Sequence, residues 1–123
     1  MAVLIEGKHP GEFLVSEGNG DISRDLITLI TGQKLNGGAV LGKITASGKY
    51  TAIAPAAADG SQTGAAILYA NTDATAADKA CVAIDRNATV NGQELDYGTL
   101  STPQIAQANL DLAAKNIIVR PAV

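Results

Sequence analysis

The sequence holds no tryptophan, a single histidine, a single cysteine and only four aromatic residues, Phe13, Tyr50, Tyr69 and Tyr97. Each scarcity closes a door. Single-stranded nucleic acid is gripped by aromatic stacking platforms along a basic groove. Here the nine Lys and Arg residues are scattered singly against a net charge of −3, so nucleic-acid binding is not expected. One cysteine, Cys81, cannot close an internal disulfide, so the chain is not a stapled secreted scaffold. No apolar run approaches the roughly 20 residues of a membrane span. Met1 to Ile5 lacks a basic start and a cleavage site, so it does not read as a signal peptide. With one His and one Cys, a metal centre would rest on carboxylates alone. Asp21 with Asp25, or Asp73 with Asp78, lacks the spacing of a calcium loop, and neither a metal nor a cofactor is expected.

What is present is small and apolar. Hydrophobic residues make up 46% of the 123, mostly Ala, Val, Ile and Leu. This length suits one domain, which buries roughly two-thirds of its unfolded surface. Small side chains bury little area each, at about 25 cal/mol per Å². Burial of further surface in an oligomer is therefore expected.

The chain divides near residue 21. Residues 1–21 carry two polar, glycine-broken stretches, Glu6 to Glu12 and Glu17 to Asp21, around Phe13-Leu14-Val15. They read as an extended, flexible arm, with an ordinary first strand of the sheet as the alternative. Residues 22–123 read as one β-rich domain. Leu26 to Ile30 is a strand pattern ending at Gly32, and Leu35-Asn36-Gly37-Gly38 is a tight turn of a hairpin. Val40 to Thr45 and Lys49 to Ala54 follow as strands, with Ser47-Gly48 between them and Pro55 as a stop. Ala65 to Tyr69 and Lys79 to Ile84 are further strands, separated by an Ala/Thr/Asp loop. This spacing predicts a mainly β body, a small barrel or sandwich of short strands. A single helix is predicted near the C-terminus, capped by Thr102, with Pro103 first and Gln104 to Lys115 unbroken. Its buried face is Ile105, Ala108 and Leu112, and Ile117-Ile118-Val119 is a closing strand.

Gly37-Gly38-Ala39-Val40-Leu41-Gly42-Lys43 has the spacing of a phosphate-binding loop up to its lysine. Ile44 then stands where the magnesium-holding Ser or Thr belongs, and a strand pattern follows where a helix must open. A hairpin feeding a strand is the better reading. His9 has no nucleophile or orienting carboxylate nearby in sequence. Cys81, inside Ala80-Cys81-Val82-Ala83-Ile84, reads as an inert buried thiol. Asp85-Arg86 reads as a surface charge pair, and Asn87-Ala88-Thr89 as a chance sequon. Nothing in this inventory assembles a catalytic constellation, so no enzyme is expected.

Glu12-Phe13-Leu14-Val15-Ser16-Glu17-Gly18-Asn19-Gly20-Asp21-Ile22-Ser23-Arg24 resembles the N-terminal signature of the head decoration protein family of tailed bacteriophages. This is the family of the lambda capsid-stabilising protein. Val40 to Ile44, Gly48-Lys49-Tyr50, Ala58 to Gln62, Ala66-Ile67-Leu68 and Arg86 to Val90, with Leu95 and Tyr97, resemble its later motifs in order.

The resemblance implies a non-enzymatic homotrimer on the outer surface of the expanded phage head, in the virion, assembled in the host cytoplasm. It would sit at threefold and quasi-threefold positions and stabilise the head against the pressure of packaged DNA. Its partner would be the major capsid protein, reached in part by strand addition of the arm. On that reading Glu12, Phe13, Leu14, Val15, Ser16, Glu17, Ser23 and Arg24 make the capsid contact. Phe13 and Val15 would face one way, Leu14 and Ser16 the other. The competing reading is a small β-barrel module that is tail-associated or binds a ligand, which would need a concave apolar pocket.

Overall fold

The structure is a computed structural model that describes residues 14–17, 24–98 and 100–120. The β-rich expectation is met. The central strands are β2 (Arg24–Leu29), β4 (Val40–Lys43), β5 (Tyr50–Ala52), β6 (Gly64–Leu68) and β8 (Lys79–Ile84). They close into a barrel in the order β2-β5-β4-β6-β8, with β8 returning to β2. β2 and β8 carry the longest ladder, six antiparallel pairs from Arg24↔Ile84 to Leu29↔Lys79. Closure removes the unpaired edges that would otherwise template association.

The two-residue period of the strands sends alternate side chains to two cores. Leu41, Ala66, Leu68 and Ala83 point into the barrel beside Ile27, Leu29 and Tyr50. Their neighbours Val40, Ile67 and Ile84 point outward into a second cluster with Val90, Leu112 and Ile117. A five-stranded barrel has no lumen once such residues fill it.

The second cluster is roofed by a separate sheet and a helix. β1 (Leu14–Glu17) runs antiparallel to β9 (Ala88–Asn91), and β10 (Ile117–Arg120) runs parallel to it on the other side. The helix α1 (Thr102–Ala113) buries Ala108 and Leu112. It is fastened to the barrel where the Gly64 N–H donates to Asp111 Oδ2 at 3.0 Å. The Tyr97 hydroxyl donates to Asn109 Oδ1 on the same helix.

Several sequence expectations change here. The helix cap is Ser101, not Thr102: Gln104 Oε1 accepts the Ser101 N–H at 2.9 Å. The helix also ends at Ala113, two residues before Lys115. The 70–78 loop contains β7 (Thr72–Ala74), which pairs antiparallel with β3 (Gln33–Leu35). No hairpin joins β3 to β4, because β3 pairs with β7 while β4 pairs with β5 and β6. Tertiary partners decided this, since Asn36-Gly37 permits a reversal without naming the strand that answers it. β9, whose residues the sequence showed as a chance sequon and as part of a family motif but not as a strand, is the central strand of the side sheet.

One glycine has a packing reason. A Cβ on Gly42 would stand 2.7 Å from the Ser61 Cα and carbonyl carbon, both backbone atoms. The β4–β6 ladder also shifts register at this point, leaving Gly42 opposite Gly64. The loop of Asp59 to Ser61 thus lies directly on the barrel wall.

Candidate functional site

The arm-side residues fall into three groups. Glu12, Phe13 and Ser23 lie outside the described residues. Leu14, Val15, Ser16 and Glu17 form β1, in register Leu14↔Val90, Ser16↔Thr89 and Glu17↔Ala88 with an irregularity after Leu14. Leu14 packs partly buried against the second core. Arg24 opens β2, and its guanidinium lies 4.4 Å from the centre of the Tyr69 ring. In the side sheet β9 is central and β1 is an edge strand, so one flank of β1 is outside any ladder among the described residues.

Beside Arg24 the barrel wall is apolar and open. Leu26 is 76% exposed and stands directly across the strand pair from Val82. This surface was not foreseen, because a Leu inside a β-branched run reads as core. Only the barrel's closure reveals that Leu26 is out of phase with Ile27 and Leu29.

The ionic group at this end of the barrel was likewise missed. Arg86 Nη1 donates to Asp25 Oδ2 at 2.8 Å and to Asp85 Oδ1 at 2.9 Å, while Nη2 donates to Asp25 Oδ1 at 3.1 Å. Asp85-Arg86 is therefore not a simple surface pair, and the Asp85 side chain is only 14% exposed. The hydrogen bonds from Arg86 draw Asp25 down to about 2. Burial, followed by the hydrogen bond and charge of Asp25, pushes Asp85 up to about 6. Alternation held the signal: Asp25 is in phase with Ile27 and Leu29.

Other titratable groups serve the loops. Asp59 accepts from the Ser61 hydroxyl and N–H, and Asp73 accepts from Thr75 in the same way. Asp78 accepts the Thr31 N–H at 2.8 Å and pairs with Lys49. These bonds hold all three carboxyls below the usual range. Cys81 is half-buried, not fully so, and burial raises its thiol. Among the described residues, no group of three or more His, Cys, Asp or Glu is placed to hold a metal ion. The Gly37–Lys43 segment leads into β4 and not into a helix, so its amides do not converge on an anion. The hollow between Leu35, Ala39, Val40, Ile53 and Tyr97 measures about 210 Å³. Other surface depressions are larger, about 340 Å³ beside Arg24, Leu26, Tyr69 and Val82 and about 420 Å³ along Asp73 to Lys79, so volume alone does not decide against a ligand.

A filled barrel, an open apolar strip and a side sheet ending in an edge strand define a protein that works through its surfaces. The family comparison gives that class its identity. The model of the bacteriophage lambda head decoration protein D family matches residues 3–117, and the chain belongs to that family. The family is one of structural capsid decoration proteins of the phage virion, not of enzymes. A search of curated proteins found no match.

Proposed function

We propose that this protein is a capsid cement: a homotrimer on the outer surface of the expanded phage head, at threefold and quasi-threefold positions. There it fastens neighbouring capsomers against the outward pressure of packaged DNA. The family match over residues 3–117 carries this reading. The placement of β1 supports its mechanism. Residues 1–13 lead directly into a strand at the edge of the side sheet. A preceding segment that adds to a capsid sheet would form main-chain hydrogen bonds there, and alternate side chains would supply specificity. The ordering cost falls at docking, so a lattice that presents the right edge is selected over one that does not.

The contact residues are Glu12, Phe13, Leu14, Val15, Ser16, Glu17, Ser23 and Arg24, with Phe13 as the apolar anchor. Leu14 contributes to the fold as well as to the contact, because it packs against Val90 and its neighbours. Truncation must respect that double role. Removal of residues 1–13 leaves β1 in place, whereas removal of residues 1–20 also strips β9 of its antiparallel partner. The shorter deletion is expected to give a folded trimer by analytical ultracentrifugation that no longer co-sediments with expanded heads. Full-length protein should pellet with expanded heads and not with unexpanded ones. Undiminished binding by the 1–13 deletion would remove the arm from the mechanism. Phe13→Ala should weaken binding by about 2 kcal/mol or more if Phe13 is a buried anchor.

A further inference from the structure

On β2 the inward-facing column runs Leu29, Ile27, Asp25, and on β8 it runs Cys81, Ala83, then Asp85 just past the strand. The first two residues of each column belong to the barrel core or pack against it. The period that fills the barrel with apolar groups therefore brings two carboxyls to one of its mouths. A single guanidinium, that of Arg86, serves both: its Nη1 donates to Asp25 Oδ2 at 2.8 Å and to Asp85 Oδ1 at 2.9 Å. Two ionised carboxylates against one cation leave a net negative charge where Asp85 is largely withdrawn from water. One proton held between the carboxyls would remove that charge.

We propose that Asp25 and Asp85, clamped by Arg86, form a proton-binding pair that tightens the β2–β8 seam as the solution is acidified. The location gives the pair leverage. Asp85, Arg86 and Asn87 are the whole connection from β8 to β9, the strand that carries β1. Asn87 turns the chain there in the left-handed region, at φ 51. The pair thus sits at the joint between the barrel and the side sheet. This inference stands apart from the capsid reading and can fail or survive without it.

Among the described residues, the charged and titratable groups around the pair are few. Arg86 comes from the joint, and Arg24 on β2 stacks on Tyr69. The Tyr50 phenol, from β5, is raised above its ordinary value by burial and then by the charges of Asp85 and Asp25, so it stays protonated near neutrality. Asp85 is the proton holder, being the more buried carboxyl with the single Arg86 bond, and Asp25 with two stays ionised. A carboxyl raised to about 6 in the folded state from an ordinary 3.8 adds stability that is complete below 3.8 and lost as pH rises through about 6. Asp25, lowered to about 2, adds stability above 3.8 that is lost as pH falls through about 2. Their sum peaks near pH 4, by this linkage.

Two measurements decide it. Carboxyl carbon NMR of the wild-type protein should show Asp85 titrating near 6. Asp25→Asn, which removes the neighbouring charge and keeps Arg86, should move that midpoint down. Separately, the thermal midpoint of wild type should rise by about 3 degrees between about pH 7.5 and about pH 5.5, relative to Asp85→Asn over the same interval. An Asp85 midpoint in the ordinary carboxylate range overturns the proposal, as does an equal pH slope in wild type and Asp85→Asn. If Asp85→Asn does not fold, the wild-type titration decides alone.

Discussion

The barrel and the side sheet bury apolar surface by opposite routes. The barrel draws its five strands from one stretch, residues 24–84, closes on itself and fills its interior with its own small aliphatic side chains. The side sheet gathers three short strands from residues 14–17, 88–91 and 117–120 and leaves both its edges unpaired among the described residues. The first unit fills its own interior, yet its outward Val40, Ile67 and Ile84 are covered by the second. The second depends on the barrel for its floor and on α1 for its flank, and its β1 edge carries no ladder partner among the described residues. On the capsid reading proposed above, such a division would let the docking element be remodelled while the body keeps its shape.

Three substitutions probe that contrast, in falling order of effect. Gly42→Ala should be the most damaging, at about 3 kcal/mol or more, because its Cβ meets Ser61 backbone that no rotamer change can clear. Denaturant unfolding would measure it, and a near-neutral result would show that the Asp59–Ser61 loop is not seated on the wall. Leu112→Ala removes a fully buried side chain from the second cluster and should cost about 3 kcal/mol. Hydrogen exchange should then show β9 and β10 amides opening before those of β2 and β8. Simultaneous loss everywhere would mean the two units are one cooperative block. Tyr97→Phe deletes only the hydroxyl bond to Asn109 and should cost about 1 kcal/mol. Its effect belongs to the helix side alone, so barrel amides should keep their protection.

Much of the barrel was legible in the chain. Val40 onward, Tyr50 onward, Ala65 to Tyr69 and Lys79 to Ile84 all announce strands through β-branched or alternating residues bounded by Gly and Pro. The first two ran a residue or more long, as at Ile44 and Ala54, where turn backbone continues the strand direction without a ladder partner, whereas Lys79 to Ile84 matches β8 and Ala65 to Tyr69 is offset by one residue from β6. β3, β7 and β9 were not legible. Each has four residues or fewer with polar members such as Gln33, Asp73 and Asn91, and becomes a strand only because another strand answers it. The candidate site divides the same way. The arm motif around Phe13 is a sequence feature, whereas the Arg86 clamp joins residues 61 positions apart that no local pattern links.

Composition, turn residues and strand periodicity by themselves determined a small, aromatic-poor β domain with one late helix. Those properties are local, set by side-chain volume, backbone preference and charge at each position. Only the tertiary structure decided which strands pair, that Leu26 faces water while Ile27 does not, and that Asp25 and Asp85 share one cation. Pairing partners, exposure and pKa depend on what the rest of the chain brings alongside, and a barrel settles these only when its last strand closes on its first.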